Sequence, residues 1–73
     1  MKYYSSKTRL LAVLQILSTK PQTAQTILDK LAKRFGIEAK RETIYDDIAA
    51  LTFFYNIQYS NEKNNRGYYI CAN

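Results

Sequence analysis

Residues 43–51 read TIYDDIAAL, and this segment is more informative than any other part of the chain. Ile44, Ile48 and Leu51 recur at steps of four and three, which places them on one stripe of an α-helix. With that stripe turned toward a core, Asp46 points to the solvent. The segment therefore predicts an amphipathic helix that offers its other face to a partner.

Two further helices are predicted before this segment. Ser5 or Ser6 can cap the first, which we expect to end at Pro21, and Thr23 can cap the second. Gly36 follows the second helix where a left-handed terminus favours glycine. The apolar positions that indicate core-facing stripes are Leu10, Val13, Leu14 and Leu17 in the first helix, and Ile27, Leu28, Leu31 and Phe35 in the second.

A β-hairpin is predicted after the third helix. We expect that helix to cover about residues 40–55 and to end at a left-handed Asn56. Residues 57–59 and 68–71 are typical of strands, and residues 61–67 of a turn. The fold class predicted for residues 1–73 is a single α+β domain, a winged helix-turn-helix with three helices followed by a two-stranded β-hairpin wing.

The charge of the chain is positive but unevenly distributed. Eleven Lys and Arg against six Asp and Glu give a formal net charge of +5. Basic residues lie mainly before residue 38 and in the predicted turn, whereas residues 38–60 hold four carboxylates against Lys40 and Arg41. A solvated surface is one explanation, but the charge and the predicted fold favour a polyanion such as double-stranded DNA.

Several classes of function are disfavoured by composition. With Cys71 as the single cysteine and no histidine, we expect no disulfide within the chain, no metal, no cofactor and a reducing, cytoplasmic setting. Asp46 and Asp47 are adjacent on a helix, so they point about 100° apart and form no paired catalytic site. The apolar run at residues 10–17 is too short for a membrane span. We therefore expect neither an enzyme, nor a membrane protein, nor a small-molecule receptor.

The order of the motifs resembles a known family. The chain is similar to the N-terminal winged-helix domain of WYL-type and DeoR-like bacterial transcription regulators over about residues 7–70. The resemblance is carried by five motifs, Arg9-Leu10-Leu11, Thr23-Ala24-Gln25, Phe35-Gly36-Ile37, Arg41-Glu42-Thr43-Ile44-Tyr45-Asp46-Asp47-Ile48 with Leu51, and Gly67-Tyr68-Tyr69-Ile70.

Family membership implies that the third helix enters the major groove and that the wing lies along the DNA backbone. The chain departs from the family pattern at Asp46, where many members have arginine, and in a longer segment between the second and third helices. It also lacks the usual glycine after the third helix. Those regulators continue into a ligand-sensing effector domain, and we expect no sensing function from these residues.

The DNA-binding surface is predicted from helical geometry and from charge. The outward face of the third helix comprises Glu42, Thr43, Asp46, Ala49, Ala50 and Phe53. The predicted DNA contacts are Lys40, Arg41, Thr43, Tyr45, Asp46, Ala50, Lys63, Arg66, Lys7 and Arg9.

Two of these contacts have alternatives that stay open at this stage. Asp46 either accepts a hydrogen bond from cytosine N4 or is merely solvated near the helix start. Arg41 either binds a phosphate or pairs with a nearby acid such as Asp47.

An exposed phenylalanine at position 53 is unfavourable in so small a monomer. Phe53 either packs under the wing or marks a surface for self-association. The predicted dimer interface comprises Tyr3, Tyr4, Phe53 and Phe54. A homodimer with two-fold symmetry would match a palindromic DNA site.

The leading hypothesis is a small sequence-specific double-stranded DNA-binding regulator, a repressor of phage or plasmid origin. The alternative is a winged helix that binds a protein, such as a phage-encoded, anti-CRISPR-like inhibitor of a host nuclease that targets nucleic acid. The carboxylates of the third helix favour the alternative, because negative charge is unhelpful beside phosphates.

Overall fold

The described part of the chain forms three helices followed by a two-stranded antiparallel hairpin. A computed structural model of the protein describes residues 5–71. The elements are α1 (Ser6–Leu17), α2 (Ala24–Lys30) with a π-helical turn (Leu31–Phe35) directly after it, α3 (Arg41–Leu51), β1 (Ile57–Ser60) and β2 (Gly67–Ile70). The predicted α+β class and the order of the elements are confirmed.

Helix α1 begins where the sequence predicts and ends earlier. Ser5 is the cap, since its Oγ accepts a hydrogen bond from the backbone N–H of Thr8 at 3.2 Å. The helix stops at Leu17, although we expected it to reach Pro21. The hydroxyl of Ser18 donates to the carbonyl of Gln15 at 2.7 Å. This bond satisfies a carbonyl of the last turn and lets the chain leave the helix before the proline.

The second helix is bounded by the two predicted signals. Thr23 Oγ1 accepts from the N–H of Thr26 at 3.2 Å, and Gly36 adopts the left-handed conformation with φ 67°. The π-helical turn between them was not predicted. The carbonyl of Leu31 accepts the N–H of Ile37 at 3.0 Å, a bond that closes the helix end and carries Ile37 into the core.

Helix α3 is shorter than predicted. It ends at Leu51 instead of near Tyr55, because the N–H groups of both Phe54 and Tyr55 turn back to the Leu51 carbonyl. The predicted left-handed Asn56 is wrong, since the only residues with positive φ among residues 5–71 are glycines. Tyr55, expected on the buried stripe, is 40% exposed. The chain turns out of the helix early and runs directly into β1.

The core lies between the three helices. Val13, Ile16 and Leu17 of α1 meet Ile27 of α2 and Ile44 of α3, and each of these side chains is essentially inaccessible to water. The predicted buried stripe of α3 is confirmed, with Ile44, Ile48 and Leu51 all buried. The hairpin contributes Ile57, Tyr68 and Ile70, which pack against this cluster and so attach the hairpin to the helices, as expected.

The hairpin is also joined to the segment between α1 and α2. Strands β1 and β2 pair in a register that sets Tyr59 opposite Tyr68. On its other edge, Tyr68 donates its N–H to the carbonyl of Gln22 at 2.8 Å and accepts the N–H of Gln22 at 2.9 Å. Gln22 is itself buried, and its side-chain amide donates to Thr19. This bridge, which the sequence did not predict, gives β2 a partner on both sides.

Gly67 allows this close approach. The sequence placed it in the turn, but it is a buried residue of β2 with φ 133°, a conformation that L side chains rarely adopt. A Cβ atom at this position would lie 2.2 Å from the carbonyl carbon of Gln22 and 2.6 Å from the backbone nitrogen of Thr23. The bridge therefore requires glycine on both conformational and steric grounds.

Gly67→Ala is expected to lower the free energy of unfolding by more than about 2 kcal/mol. The added methyl group must displace the backbone of Gln22 and Thr23, and it also strains the backbone of residue 67 at its positive φ. Gly36→Ala is the matched control. Gly36 also has positive φ, but it is exposed at a helix end. Its replacement by alanine is expected to lower the free energy of unfolding by only about 1–2 kcal/mol. Urea denaturation of both variants measures the difference, and equal losses would contradict the steric role of Gly67.

Candidate nucleic-acid interface

A bidentate ion pair fixes α3 against α1. The Nε of Arg9 lies 2.6 Å from Oδ2 of Asp47, and an Arg9 terminal nitrogen donates to Oδ1 at 2.9 Å. The two side chains are 18% and 8% exposed, so this pair is largely removed from water. Two parallel bonds between a planar guanidinium and a carboxylate restrain both distance and rotation. The pair therefore restrains the orientation of α3 about its own axis.

This ion pair bears on two expectations about the arginines. The sequence predicts Arg9 as a contact to the DNA backbone; the structure places its guanidinium against Asp47, and the contact to DNA stays a prediction. Asp47 is not the partner of Arg41. The side chain of Arg41 is exposed and donates to Oε1 of Gln25 at 2.8 Å, and Gln25 in turn donates to Asp29 at 3.1 Å.

The outward face of α3 is the one that the sequence predicts, except that Phe53 lies beyond the end of the helix at Leu51. Glu42, Asp46, Ala49 and Ala50 are exposed, and Thr43 is half-buried at the edge of the face. Because the side chains of Ala49 and Ala50 are small, a partner can come close to the backbone of α3 at these positions. The face therefore combines close access for a partner with two carboxylates, Glu42 in the first turn and Asp46 in the middle of the helix.

A cleft opens beside this face, where three elements meet. Its volume is about 470 Å³, and its walls come from the start of α2, from α3 and from the hairpin. Polar and aromatic side chains line it, from Thr23, Gln25, Arg41, Tyr45, Tyr59 and Tyr68. The cleft thus combines a guanidinium, amide and hydroxyl groups, and aromatic rings, which is a set of groups suited to an anionic ligand with flat apolar parts.

The three tyrosines form an aromatic cluster along one wall. The ring of Tyr68 lies edge-on to Tyr59, with centroids 4.9 Å apart, and edge-on to Tyr45 at 6.5 Å. Burial raises the pKa of the Tyr68 hydroxyl above its usual value of 10.0, and the neighbouring Tyr45 and Tyr59 raise it further. At neutral pH this hydroxyl is therefore protonated and able to donate a hydrogen bond.

Only part of this cleft could be predicted from the sequence. Arg41 and Tyr45 are predicted contacts, whereas Gln25, Tyr59 and Tyr68 are not. The hairpin register was the available signal, because pairing residue 59 with residue 68 brings two tyrosine positions side by side. Contact of this pair with Tyr45 depends on how the hairpin docks, which local sequence patterns do not specify.

The remaining predicted contacts are exposed cations at separate places. Lys7 lies on α1, Lys40 caps the start of α3 without a side-chain cap bond, and Lys63 and Arg66 lie in the hairpin loop. Within that loop the N–H of Asn65 donates to the carbonyl of Glu62 at 3.2 Å. The structure therefore leaves these four side chains accessible, while the cleft is formed by other residues.

The predicted dimer contacts are only partly covered by the structure. Phe53 and Phe54 are 87% and 82% exposed, so Phe53 does not pack under the hairpin. Tyr3 and Tyr4 lie outside the described residues.

No helix within residues 5–71 has the length and apolar character needed to cross a bilayer, and no group of three Cys, Asp or Glu side chains there is placed to hold a metal ion. No family model, curated protein or solved structure matches the chain. The resemblance to winged-helix regulators therefore stays a prediction.

The ion pair is expected to couple Arg9 and Asp47 by about 1–3 kcal/mol in a double-mutant cycle with Arg9→Met and Asp47→Leu. Each single variant leaves one charge with little water and without its partner, whereas the double variant removes both charges. Urea denaturation of the four proteins measures the coupling. Additive losses would show that the pair does not restrain α3.

Proposed function

We propose that the protein is a winged helix-turn-helix domain that binds double-stranded DNA and regulates transcription. The observation that carries the proposal is the cleft in which Arg41 and the tyrosine cluster meet the start of α2 beside the exposed face of α3. An arginine with hydroxyl donors is a common phosphate-binding set, and a helix face beside it enters the major groove.

Helix α3 is the element that enters the groove. Ala49 and Ala50 let the helix approach the base edges closely, and their methyl groups can contact the methyl group of thymine. Asp46, exposed on the same face, accepts a hydrogen bond from the amino group of cytosine. Sequence discrimination comes from these neutral and acidic groups, while affinity comes from cations elsewhere.

The backbone contacts come from the cleft and from the hairpin. The guanidinium of Arg41 has five N–H donors and uses one in the bond to Gln25, so others can bind phosphate oxygens. The Tyr68 hydroxyl is protonated at neutral pH and donates as well. Lys63 and Arg66 extend along the adjacent backbone from a hairpin that the bridge to Gln22 holds against the helices.

With about four to five phosphate contacts, the affinity for a mixed-sequence duplex should fall by about two orders of magnitude between about 50 and 200 mM salt. Arg41→Ala and Arg66→Ala should each reduce the slope of log affinity against log salt by about one. Fluorescence anisotropy with a labelled duplex measures these slopes, and selection from a random duplex pool identifies the preferred sequence.

Lys33→Ala is the matched control, because it removes the same charge from an exposed position on the π-helical turn. It should leave the slope close to that of the parent protein. The proposal fails if the parent does not bind duplex DNA, if binding is insensitive to salt, or if Lys33→Ala changes the slope as much as the other two variants.

A second candidate function is binding to a protein, such as inhibition of a nuclease that targets nucleic acid. The observation in its favour is the exposure of Glu42 and Asp46 on the outward face of α3, where they oppose phosphate binding within a chain of net charge +5. A basic surface on another protein would complement this face.

Asp46→Arg separates the two candidates. If α3 binds a basic protein surface, this variant should gain at least about tenfold in duplex affinity over a parent that binds poorly, because it removes a repulsive charge and adds a phosphate contact. If α3 reads DNA bases, the variant should change the selected sequence at one position instead. Duplex selection with both proteins gives the readout.

A further inference from the structure

Two phenylalanines stand almost entirely in the solvent after α3. Phe53 and Phe54 are 87% and 82% exposed, the highest values among the large apolar side chains of the described residues. They lie in a turn whose N–H groups bond back to the end of α3, so the backbone that carries them is held by hydrogen bonds. Contiguous exposed aromatic surface of this kind commonly marks an interaction site.

An apolar groove begins at the next residue. Tyr55 directly follows Phe54 and forms one wall, and Leu11, Leu14 and Ser18 of α1 form another, with Ile70 of β2 beside them. The groove has a volume of about 380 Å³. Leu11 is 66% exposed at its edge, which is high for a leucine on a core helix. A protruding aromatic pair and an apolar groove are therefore neighbours on one molecule.

The charge distribution favours a second copy of the chain as the occupant. Two chains of net charge +5 repel each other wherever Lys and Arg side chains meet. No charged residue lines the groove, and residues 52–56 contain none either. The groove and residues 52–56 together form a neutral face. Two copies can approach through this face with little repulsion, whereas a nucleic acid or a charged protein finds no ionic partner on it.

The available area is sufficient for a dimer. Aromatic side chains bury about 150–250 Å² each, so the two phenylalanines with Leu11 and part of Tyr55 offer roughly 500 Å² per copy. A pair of copies would then bury about 1,000 Å², the lower limit for a specific interface.

We propose that this face binds the same face of a second copy in a two-fold dimer, with Phe54 of each copy entering the groove of the other. Phe54 and the groove are neighbours on one chain, because Tyr55 lines the groove. A two-fold axis therefore lets each copy fill the groove of the other at the same time, and the assembly closes at two copies. The dimer does not depend on DNA, so it can be tested independently of the proposed DNA binding.

Sedimentation equilibrium without nucleic acid, over a concentration series up to about 1 mM, tests the dimer. The parent should reach a mass of twice 8.5 kDa. Phe54→Asp and Leu11→Asp should each raise the dissociation constant at least about 30-fold, as expected for central interface residues. Because both side chains are exposed, circular dichroism should show unchanged helix content and cooperative melting.

Ala32→Asp is the matched control, since it adds the same charge at an exposed position of the π-helical turn. It should dimerise like the parent. A parent that stays monomeric across the series overturns the proposal. So does a dimer that survives both Phe54→Asp and Leu11→Asp, because it would use another surface.

Discussion

The ion pair between Arg9 and Asp47 adds a directional restraint to the buried apolar stripe of the third helix, and together they determine which side of that helix reaches the solvent. Apolar anchors alone tolerate some sliding and rotation, because hydrophobic contact has no preferred direction. The paired guanidinium and carboxylate do not tolerate such movement, because bonds of 2.6 and 2.9 Å join them and little water reaches them. Any movement of the helix would leave two charges poorly solvated and poorly paired. The exposure of Asp46, Ala49 and Ala50 follows from burial of the opposite stripe of α3 and from this restraint.

The molecule combines a positive net charge with an acidic surface on α3, because its cations and its carboxylates lie in different places. Cations lie at the ends of the elements and in the hairpin loop, at Lys7, Lys40, Lys63 and Arg66. Such a distribution lets long-range attraction bring a polyanion to the surface, while Glu42 and Asp46 on α3 disfavour contacts that do not complement them. Affinity and selectivity are thus assigned to different residues in the function proposed.

Local signals account for what could be predicted from the sequence. The stripe of Ile44, Ile48 and Leu51, the caps at Ser5 and Thr23 and the glycine at position 36 each depend on residues within one helix or its ends. The partner of Asp47 could not be predicted, because several cations are compatible with one acid until the helices are packed. The bridge of Gln22 to Tyr68 and the role of Gly67 likewise depend on contacts between distant segments. The cleft depends on the same docking, which is why only Arg41 and Tyr45 among its residues were identified.

The bridge between Gln22 and Tyr68 has a consequence for the order of folding. Its two partners belong to segments that are far apart in the chain, so the bridge forms only when Gly67 lies against Gln22. During synthesis residues 57–70 leave the ribosome after the three helices, so the apolar surface that packs against Ile57, Tyr68 and Ile70 stays uncovered until these residues arrive. Completion of the domain then waits for a non-local closure, which is slow compared with helix formation. Until the hairpin docks, this uncovered surface leaves the nascent chain open to proteases and to aggregation.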